Sequence, residues 1–171
     1  MKDLSLHVLD IAQNSISAGA AQLEISLTEG DTLLTLSLAD DGRGMSPEFL
    51  AAVTDPFTTT RTTRKVGLGL PLLRMAAEQT GGSLTIESAV GVGTTVTAVF
   101  AAHHIDTPPV GDMAGTVALI LQGAPDLELV YTRNGTVFDT RAIRAVLGPD
   151  ISLSAPEVVL WMQDYMKELS L

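Results

Sequence analysis

Apolar and polar positions change period several times along the 171 residues, and each change marks an element. In the first segment Leu9, Ala12 and Ile16 fall at helical spacing. His7, Asp10, Asn14 and Ser17 form a second, polar stripe at i, i+3, i+7 and i+10, so one helix face packs and the other presents chemistry. Ala18-Gly19-Ala20 ends that helix. Leu23, Ile25 and Leu27 then alternate with polar residues as a half-buried strand. Gly30-Asp31 turns the chain into a second strand over 32–39, with Leu34, Leu36 and Leu38 on one face, and the two strands predict an antiparallel hairpin.

The run Asp40-Asp41-Gly42-Arg43-Gly44 cannot continue a strand. Ser46-Pro47-Glu48 reads as a helix start, with Ser46 as cap and Pro47 at the first helical position, leading into a short helix to Val53. From 55 to 69 the chain has little apolar periodicity and carries Pro, threonines, basic residues and glycines, the composition of a mobile loop. Helical spacing returns over 70–80 and stops at Gly81-Gly82. Two strands, 83–88 and 94–100, follow across Gly91-Val92-Gly93. The first hundred residues therefore read α-β-β-α-loop-α-β-β.

This order predicts a first unit over 1–102, a linker over 103–111 marked by Pro108-Pro109, and a small C-terminal α/β unit over 112–171. The second unit reads as a helix over 112–121, then strands 127–132 and 136–140 flanking the hairpin signal Asn134-Gly135. Helices over 140–147 and from a Ser154 cap to 169 complete it. Leu160, Trp161, Met162, Tyr165 and Met166 on the last helix are packing positions against the first unit, and they also suit a homodimer seam.

Composition narrows the function classes. The chain is 46% hydrophobic, but its apolar residues come in short runs, and no stretch reaches the roughly 18 uninterrupted residues a spanning helix needs. The start Met1-Lys2-Asp3-Leu4 lacks the plan of a signal peptide, so a cytoplasmic protein with no membrane partner is expected. With no cysteine there is no disulfide, thiolate nucleophile or sulfur-ligated metal, and His7, His103 and His104 are too few and too scattered for a multi-histidine zinc site. Ten basic against twenty acidic residues argue against a nucleic-acid partner. Arg61, Arg64 and Lys65 nevertheless crowd one short stretch, which suits a compact polyanion.

Three places carry candidate chemistry. Asp10 and Asn14 stand one helical turn apart, within about 5–6 Å, a carboxylate able to orient or deprotonate a nucleophile beside an amide able to ligate a hard cation. Asp40, at a strand end, is placed to accept from an exocyclic amine, and Gly42 and Gly44 let a ligand approach the backbone. Lys65-Val66-Gly67-Leu68-Gly69-Leu70 runs into a helix whose N-terminal amides make a phosphate site. Neither the Walker pattern nor the dinucleotide fingerprint fits.

Taken together, these segments resemble the GHKL superfamily of gyrase, MutL and histidine kinases. Asp10-x-x-x-Asn14-Ser15-Ile16-Ser17-Ala18-Gly19-Ala20 resembles its N box, closest to the MutL form, and Asp40-Asp41-Gly42-Arg43-Gly44-Met45 its G1 box. Asp55-Pro56-Phe57-Thr58-Thr59-Thr60 is similar to the F box of histidine kinases, Gly67-Leu68-Gly69-Leu70 with Gly81-Gly82 to their G2 box, and Gly91-Val92-Gly93-Thr94 to the closing Gly-x-Gly-Thr. The resemblance covers roughly residues 1–101. It implies an α+β fold of the Bergerat type, a two-layer sandwich of a mixed sheet with helices on one face and ATP held beneath a mobile lid, here with a small C-terminal α/β appendage.

By matched position the resemblance implies ATP and Mg²⁺ as ligands. Asn14 would ligate the metal, Asp40 would take the adenine amine between Gly42 and Gly44, and Thr94 would support the base pocket. Gly67, Leu68 and Gly69 would meet the phosphates, with Arg61 and Lys65 as lid cations. Asp10 and Lys65 are the catalytic candidates. Asp10 stands where ATP-hydrolysing members have Glu, one methylene longer, and slow hydrolysis is expected from a base of shorter reach. No phosphoacceptor helix precedes the N box, so the resemblance implies γ-phosphoryl transfer to a residue on a separate partner protein. The alternative is a slow ATPase or ATP-dependent conformational switch that controls a partner and leaves no phosphoprotein.

Overall fold

The computed structural model describes residues 3–53 and 69–171. Helix α1 (Leu4–Ser17) starts at Asp3, whose carboxylate accepts from the Leu6 amide at 3.0 Å and the Ser5 hydroxyl at 2.6 Å. A side chain thus meets a donor that the first turn leaves without a helical partner. Strands β1 (Gln22–Glu29) and β2 (Leu33–Asp40) pair antiparallel with Ile25 opposite Leu38 and Leu27 opposite Leu36, so the two leucine-rich faces coincide and are buried. At about 2 kcal/mol for each fully buried Leu or Ile, this alternation fixes the register, because a one-residue slip would turn the whole apolar set to the other face.

Helix α2 (Pro47–Val53) follows its Ser46 cap, whose hydroxyl accepts from the Phe49 amide at 3.2 Å. Helix α3 (Gly69–Gln79) leads into β3 (Ser83–Ala89) and β4 (Gly93–Ala101), and β4 pairs antiparallel with both β3 and β2. Val96, Ala98 and Phe100 enter the same core as the β1 and β2 leucines. Polar residues such as Ser26, Ser37 and Thr97 alternate with them on the other face.

Beyond residue 111 come α4 (Met113–Gly123), β5 (Glu128–Arg133), β6 (Thr136–Asp139), α5 (Thr140–Leu147) and α6 (Pro156–Glu168). The sheet has six strands in the order β3-β4-β2-β1-β5-β6, with β5 parallel to β1 and every other pair antiparallel. Residues 112–171 therefore extend the sheet of the first hundred rather than standing beside it. One buried cluster runs from Leu4 to Leu171. The segment expected as a linker is tied down as well, since the Leu4 and Ser5 amides donate to the carbonyls of Pro109 and Val110, each at 2.9 Å.

Local chemistry explains why β5 takes the open edge of β1. Asn134 and Gly135 have φ of 49° and 88°, the left-handed pair of a tight hairpin turn. Glu29 at the end of β1 grips that hairpin. Its carboxylate accepts from Arg133 Nε at 2.9 Å, Arg133 Nη2 at 3.1 Å and Asn134 Nδ2 at 2.9 Å, and its amide donates to Asn134 Oδ1 at 2.8 Å. The Arg133 guanidinium holds the Glu29 carboxyl below its ordinary range.

The last helix packs through Met162 and Met166, which are fully buried, but against α4 rather than against the first unit, and Leu160 and Trp161 of the expected packing set are exposed. Trp161 stacks on Tyr165 at 5.5 Å, and Tyr165 meets Phe138 of β6 at 6.5 Å. The Ser154 cap is not formed. Ala155 holds the cap position without a side-chain bond, and Ser154 pairs with the Ser152 hydroxyl at 2.7 Å. Pro156 in the first turn has no N–H, which removes one of the donors a cap would serve. Among the described residues no helix is long and apolar enough to cross a membrane.

Because β1 and α1 are flanked by β5 and α4, a chain ending at residue 111 would bare a strand edge and one side of α1. Such a fragment is expected to lose the cooperative thermal transition of the full chain when both are followed by circular dichroism. A sharp native-like melt from the fragment would show the extension to be dispensable.

Candidate functional site

Asp40 closes β2 opposite Thr94 of β4, beneath the C-terminal half of α1. Its two oxygens are held separately. Oδ2 accepts from the Ser15 hydroxyl at 2.6 Å and Oδ1 from the Gly42 amide at 2.9 Å. Ser15 Oγ also lies 3.3 Å from the Ile11 carbonyl, but its single proton goes to the nearer, charged acceptor. A carboxylate offers about four lone-pair sites, so two remain after these bonds.

The next residue acts in the opposite direction. Asp41 Oδ1 accepts from the amides of Ala21 at 2.8 Å and Gln22 at 2.9 Å, which pins the turn after β2 to the start of β1. Arg43 clamps the same turn to the end of α1, its guanidinium donating to the Ser17 carbonyl and its amide to the Ala18 carbonyl. Gly44 then crosses the β3–β4 end with φ of 72°, and a Cβ there would stand 1.9 Å from the Ala89 carbonyl oxygen. Only glycine fits both the dihedral and the contact. The Met45 amide donates to Ser88 Oγ at 2.8 Å, and Ser88 Oγ lies 2.8 Å from the Thr94 hydroxyl, so Thr94 belongs to the network that fixes this loop.

Asp10 and Asn14 project from α1 toward the start of α3. The Asp10 carboxylate packs so closely on Gly69 that a Cβ at that glycine would lie 1.6 Å from Oδ2, which gives the two residues a shared steric requirement. Asp10 Oδ2, Asn14 Nδ2 and His7 Nδ1 are buried without a hydrogen-bond partner among the described residues. Burial raises the Asp10 carboxyl above the usual carboxylate range and lowers the His7 imidazole, which stays neutral.

Between these groups lies a cleft of about 600 Å³. Asn14, Ser15, Ser17, Asp40, Arg43 and Thr94 give the cleft its polar side chains, while Ile11, Leu38, Met45, Phe49, Leu70 and Val96 supply apolar walls. Apolar walls around one fixed carboxylate suit a flat heteroaromatic ring carrying an amine donor. A second hollow, between α1, α4 and α6, is bordered by the cap carboxylates Asp3 and Asp112 and holds none of the candidate site residues read from the sequence. Among the described residues no three His, Cys, Asp or Glu side chains gather as a metal cage, so a cation here would depend on Asn14 and on its ligand's own oxygens.

The structure thus gathers Asn14, Asp40, Gly44 and Thr94 around one cleft, with Gly42 behind Asp40 and the Asp10–Gly69 contact beside Leu70. Arg61, Lys65, Gly67 and Leu68 lie outside the described residues, as do Arg64 and the run 55–60. Sequence reasoning missed Ser15, Arg43, Phe49 and Ser88. Ser15 had a readable signal, a hydroxyl next to Asn14 that departs from the polar stripe and enters the packed face. Ser88 had none, because its role depends on cross-strand register.

Residues 2–104, more than half of the chain, match the family described as histidine kinase-, DNA gyrase B- and HSP90-like ATPase. The histidine protein kinase DivJ of Caulobacter vibrioides is 35% identical over 95 residues, covering 52% of this chain and 16% of its own length. Sporulation kinase D of Bacillus subtilis is 35% identical over 92 residues, covering 53% and 18%. The chain matches less than a fifth of the length of these relatives. Among solved structures, the Aquifex aeolicus MutL ATPase domain complexed with ADP is similar with a TM-score of 0.56 at 15% identity, over 86% of this chain and 69% of that chain. That likeness is one of fold, and it reaches beyond residue 104 into the sheet extension.

Two stability measurements test this geometry. Between the unfolded and the raised folded pKa of Asp10, the folded state binds more protons, so stability falls as pH rises through that window and the ionised carboxylate costs stability at neutral pH. Asp10→Asn is therefore expected to raise the Tm at pH 7, by roughly 1–3 °C, and to leave it unchanged well below pH 4. An Asn variant that melts lower at pH 7 would contradict the burial argument. Gly44→Ala should cost at least about 2 kcal/mol in urea unfolding, since it combines a strained φ with a backbone collision.

Proposed function

The chain belongs to the histidine kinase-, DNA gyrase B- and HSP90-like ATPase family, and on that footing we propose that its ATP-binding domain takes Mg-ATP in the cleft and passes the γ-phosphoryl to a residue of a separate protein. The observation that carries this reading is the combination of a fixed carboxylate, Asp40, within an apolar cleft and, beside it, the half-buried Asp10 and Asn14 side chains, whose Oδ2 and Nδ2 atoms are buried without a partner among the described residues. The first suits an adenine amine. The second suits charged, hydrogen-bonding groups that the rest of the fold does not supply.

In this reading Asp40 accepts from the base amine while Ser15 and Gly42 hold the carboxylate in place. Thr94 and the glycines Gly42 and Gly44 shape the pocket around it. Asn14 would hold Mg²⁺ by its carboxamide oxygen, where the ion would offset the charge of the phosphates and keep several waters. Gly67, Leu68 and Gly69 would meet those phosphates, with Arg61 and Lys65 as cations. Phosphoryl transfer depends chiefly on positioning and charge neutralisation, so this set suffices without a covalent enzyme intermediate. Asp10 would take the proton of the attacking group. Histidine kinases among the relatives support an acceptor on a protein, and ATP as substrate supports a cytoplasmic setting.

Calorimetry with Mg-ATP is expected to show binding that weakens about 10- to 100-fold in Asp40→Asn, the worth of a charge-assisted hydrogen bond. Unchanged affinity would remove the base assignment. With γ-labelled ATP and co-encoded proteins as acceptors, a labelled phosphoprotein should form and be lost in Asn14→Ala. Steady phosphate release with no labelled protein would instead establish the slow ATPase or switch.

A further inference from the structure

The hollow between α1, α4 and α6 is a groove of about 440 Å³ that follows α4, with the other two helices as its sides. Asp112, Gly115, Leu119 and Gln122 line it at i, i+3, i+7 and i+10, one helix face over about 15 Å. Gly115 has no side chain, which leaves the middle of that face low. Leu6 of α1 and Val159 of α6 line the same groove. Leu6 and Leu119 are 43% and 49% exposed, an apolar pair left open on helices whose other faces are packed. A trough between helices receives the apolar face of a further helix, because side-chain ridges spaced at three and four residues enter it.

One end of the groove is acidic. The Leu4 and Ser5 amides donate to the carbonyls of Pro109 and Val110, and Gly111, with φ of 79°, presses so closely on Asp3 that a Cβ would stand 2.6 Å from its Cγ. These contacts bring the two N-caps, Asp3 of α1 and Asp112 of α4, to one end. Asp3 caps by accepting from the Leu6 amide at 3.0 Å and Asp112 from the Gly115 amide at 2.9 Å, both through Oδ1. A carboxylate offers about four lone-pair sites, so each can take a further donor. Neither α1 nor α4 contains a lysine or arginine, and α6 sets Lys167 against Glu157, Asp164 and Glu168. The whole chain carries a net charge of -10. A second copy laid on this face would bring carboxylates to carboxylates. A helix with basic residues beside an apolar stripe would meet the leucines with apolar groups and the acidic end with cations.

We infer that this groove docks a basic amphipathic helix of a protein partner. Its apolar stripe covers Leu6, Leu119 and Val159, and a lysine or arginine meets Asp3 and Asp112. The inference goes beyond the phosphoryl-transfer reading, since it states what a partner must present, and the contact does not depend on that chemistry. α1 is one side of the groove while its Asn14 and Ser15 line the nucleotide cleft, so partner and nucleotide meet the same helix.

The test uses the full chain without nucleotide. Its probe is a synthetic helical peptide of roughly 20 residues with leucines along one face and lysines on both sides of them. Affinity is read by fluorescence anisotropy, and the site is mapped from amide shifts in nitrogen-15 spectra. The shifts are expected to centre on Leu6, Gly115 and Leu119. Leu119→Gln should weaken binding about tenfold or more, and so should Asp3→Asn combined with Asp112→Asn. Both proteins should keep the wild-type melt, because Leu119 is half exposed and Asn caps a helix about as well as Asp. A peptide with glutamates for the lysines should not bind, and one with glutamines for the leucines should bind at least about tenfold more weakly. Equal binding of the glutamine peptide would reduce the contact to bare attraction by an acidic protein and overturn the inference. Shifts centred elsewhere, unchanged affinity in either variant, or no measurable binding of the leucine-lysine peptide would also overturn it. Dimerisation in sedimentation velocity that Leu119→Gln abolishes would place a second copy in the groove and overturn the basic-helix occupant. Loss of the phosphoryl-transfer reading in its own labelling assay would leave every one of these outcomes standing.

Discussion

The way the chain leaves β2 governs the rest of the site. Two adjacent carboxylates face opposite ways: Asp40 accepts from Ser15 and Gly42 on the cleft side, and Asp41 accepts from Ala21 and Gln22 on the other. Each satisfies backbone or hydroxyl donors where α1 gives way to β1, so the turn cannot move without leaving donors unpaired. Leaving a buried donor unmet costs about 1–3 kcal/mol. Neutral amides in these two places would keep an acceptor but lose the charge that makes each bond strong.

That economy contrasts with the stripe on α1. Leu4, Val8, Ile11 and Ala12 bury one face fully, whereas His7, Asp10 and Asn14 keep atoms unmet among the described residues. The packed face carries the cost of the polar one. Asp10 can remain buried against Gly69 because α1 is held on three sides, by the sheet, by α3 and by α4, not because its own environment suits a charge. A site of this kind is rigid in its scaffold and unsatisfied in its chemistry, which is how fixed groups retain the capacity to bind.

Legibility in the sequence followed the range of the interactions. Helix and strand positions were readable because burial enforces period: Leu23-x-Ile25-x-Leu27 and Leu34-x-Leu36-x-Leu38 each turn one apolar face inward. Asn134-Gly135 announced its hairpin through dihedrals that few other residues adopt. Asp40, Gly44 and Thr94 could be singled out because the motif that carries each is local, and the fold brings all three to one cleft. The parallel partnership of β1 with β5 was not, since nothing within either strand names a partner about a hundred residues away. The grip of Glu29 on Arg133 and Asn134 shows only when both ends are brought together. The Ser154 cap failed for a local reason, because Pro156 removed a donor the cap would have served. Arg43 was legible as a charge but not as a clamp, because its target is a backbone carbonyl at the end of a different element.

The sheet extension and the cleft are linked through one short piece of backbone. Ala21 and Gln22, whose amides hold Asp41, also begin the strand that accepts β5, and the Ala21 carbonyl takes the Glu128 amide at 2.9 Å. The turn beneath Asp40 is thus bonded on one side to the acidic pair and on the other to the first residue of β5. A shift of β5 along β1 would pull on the same two residues that set the angle of the Asp40 turn. With α4 packed against α1, which carries Ser15, Asp10 and Asn14, the last sixty residues touch both halves of the cleft's support without lining it.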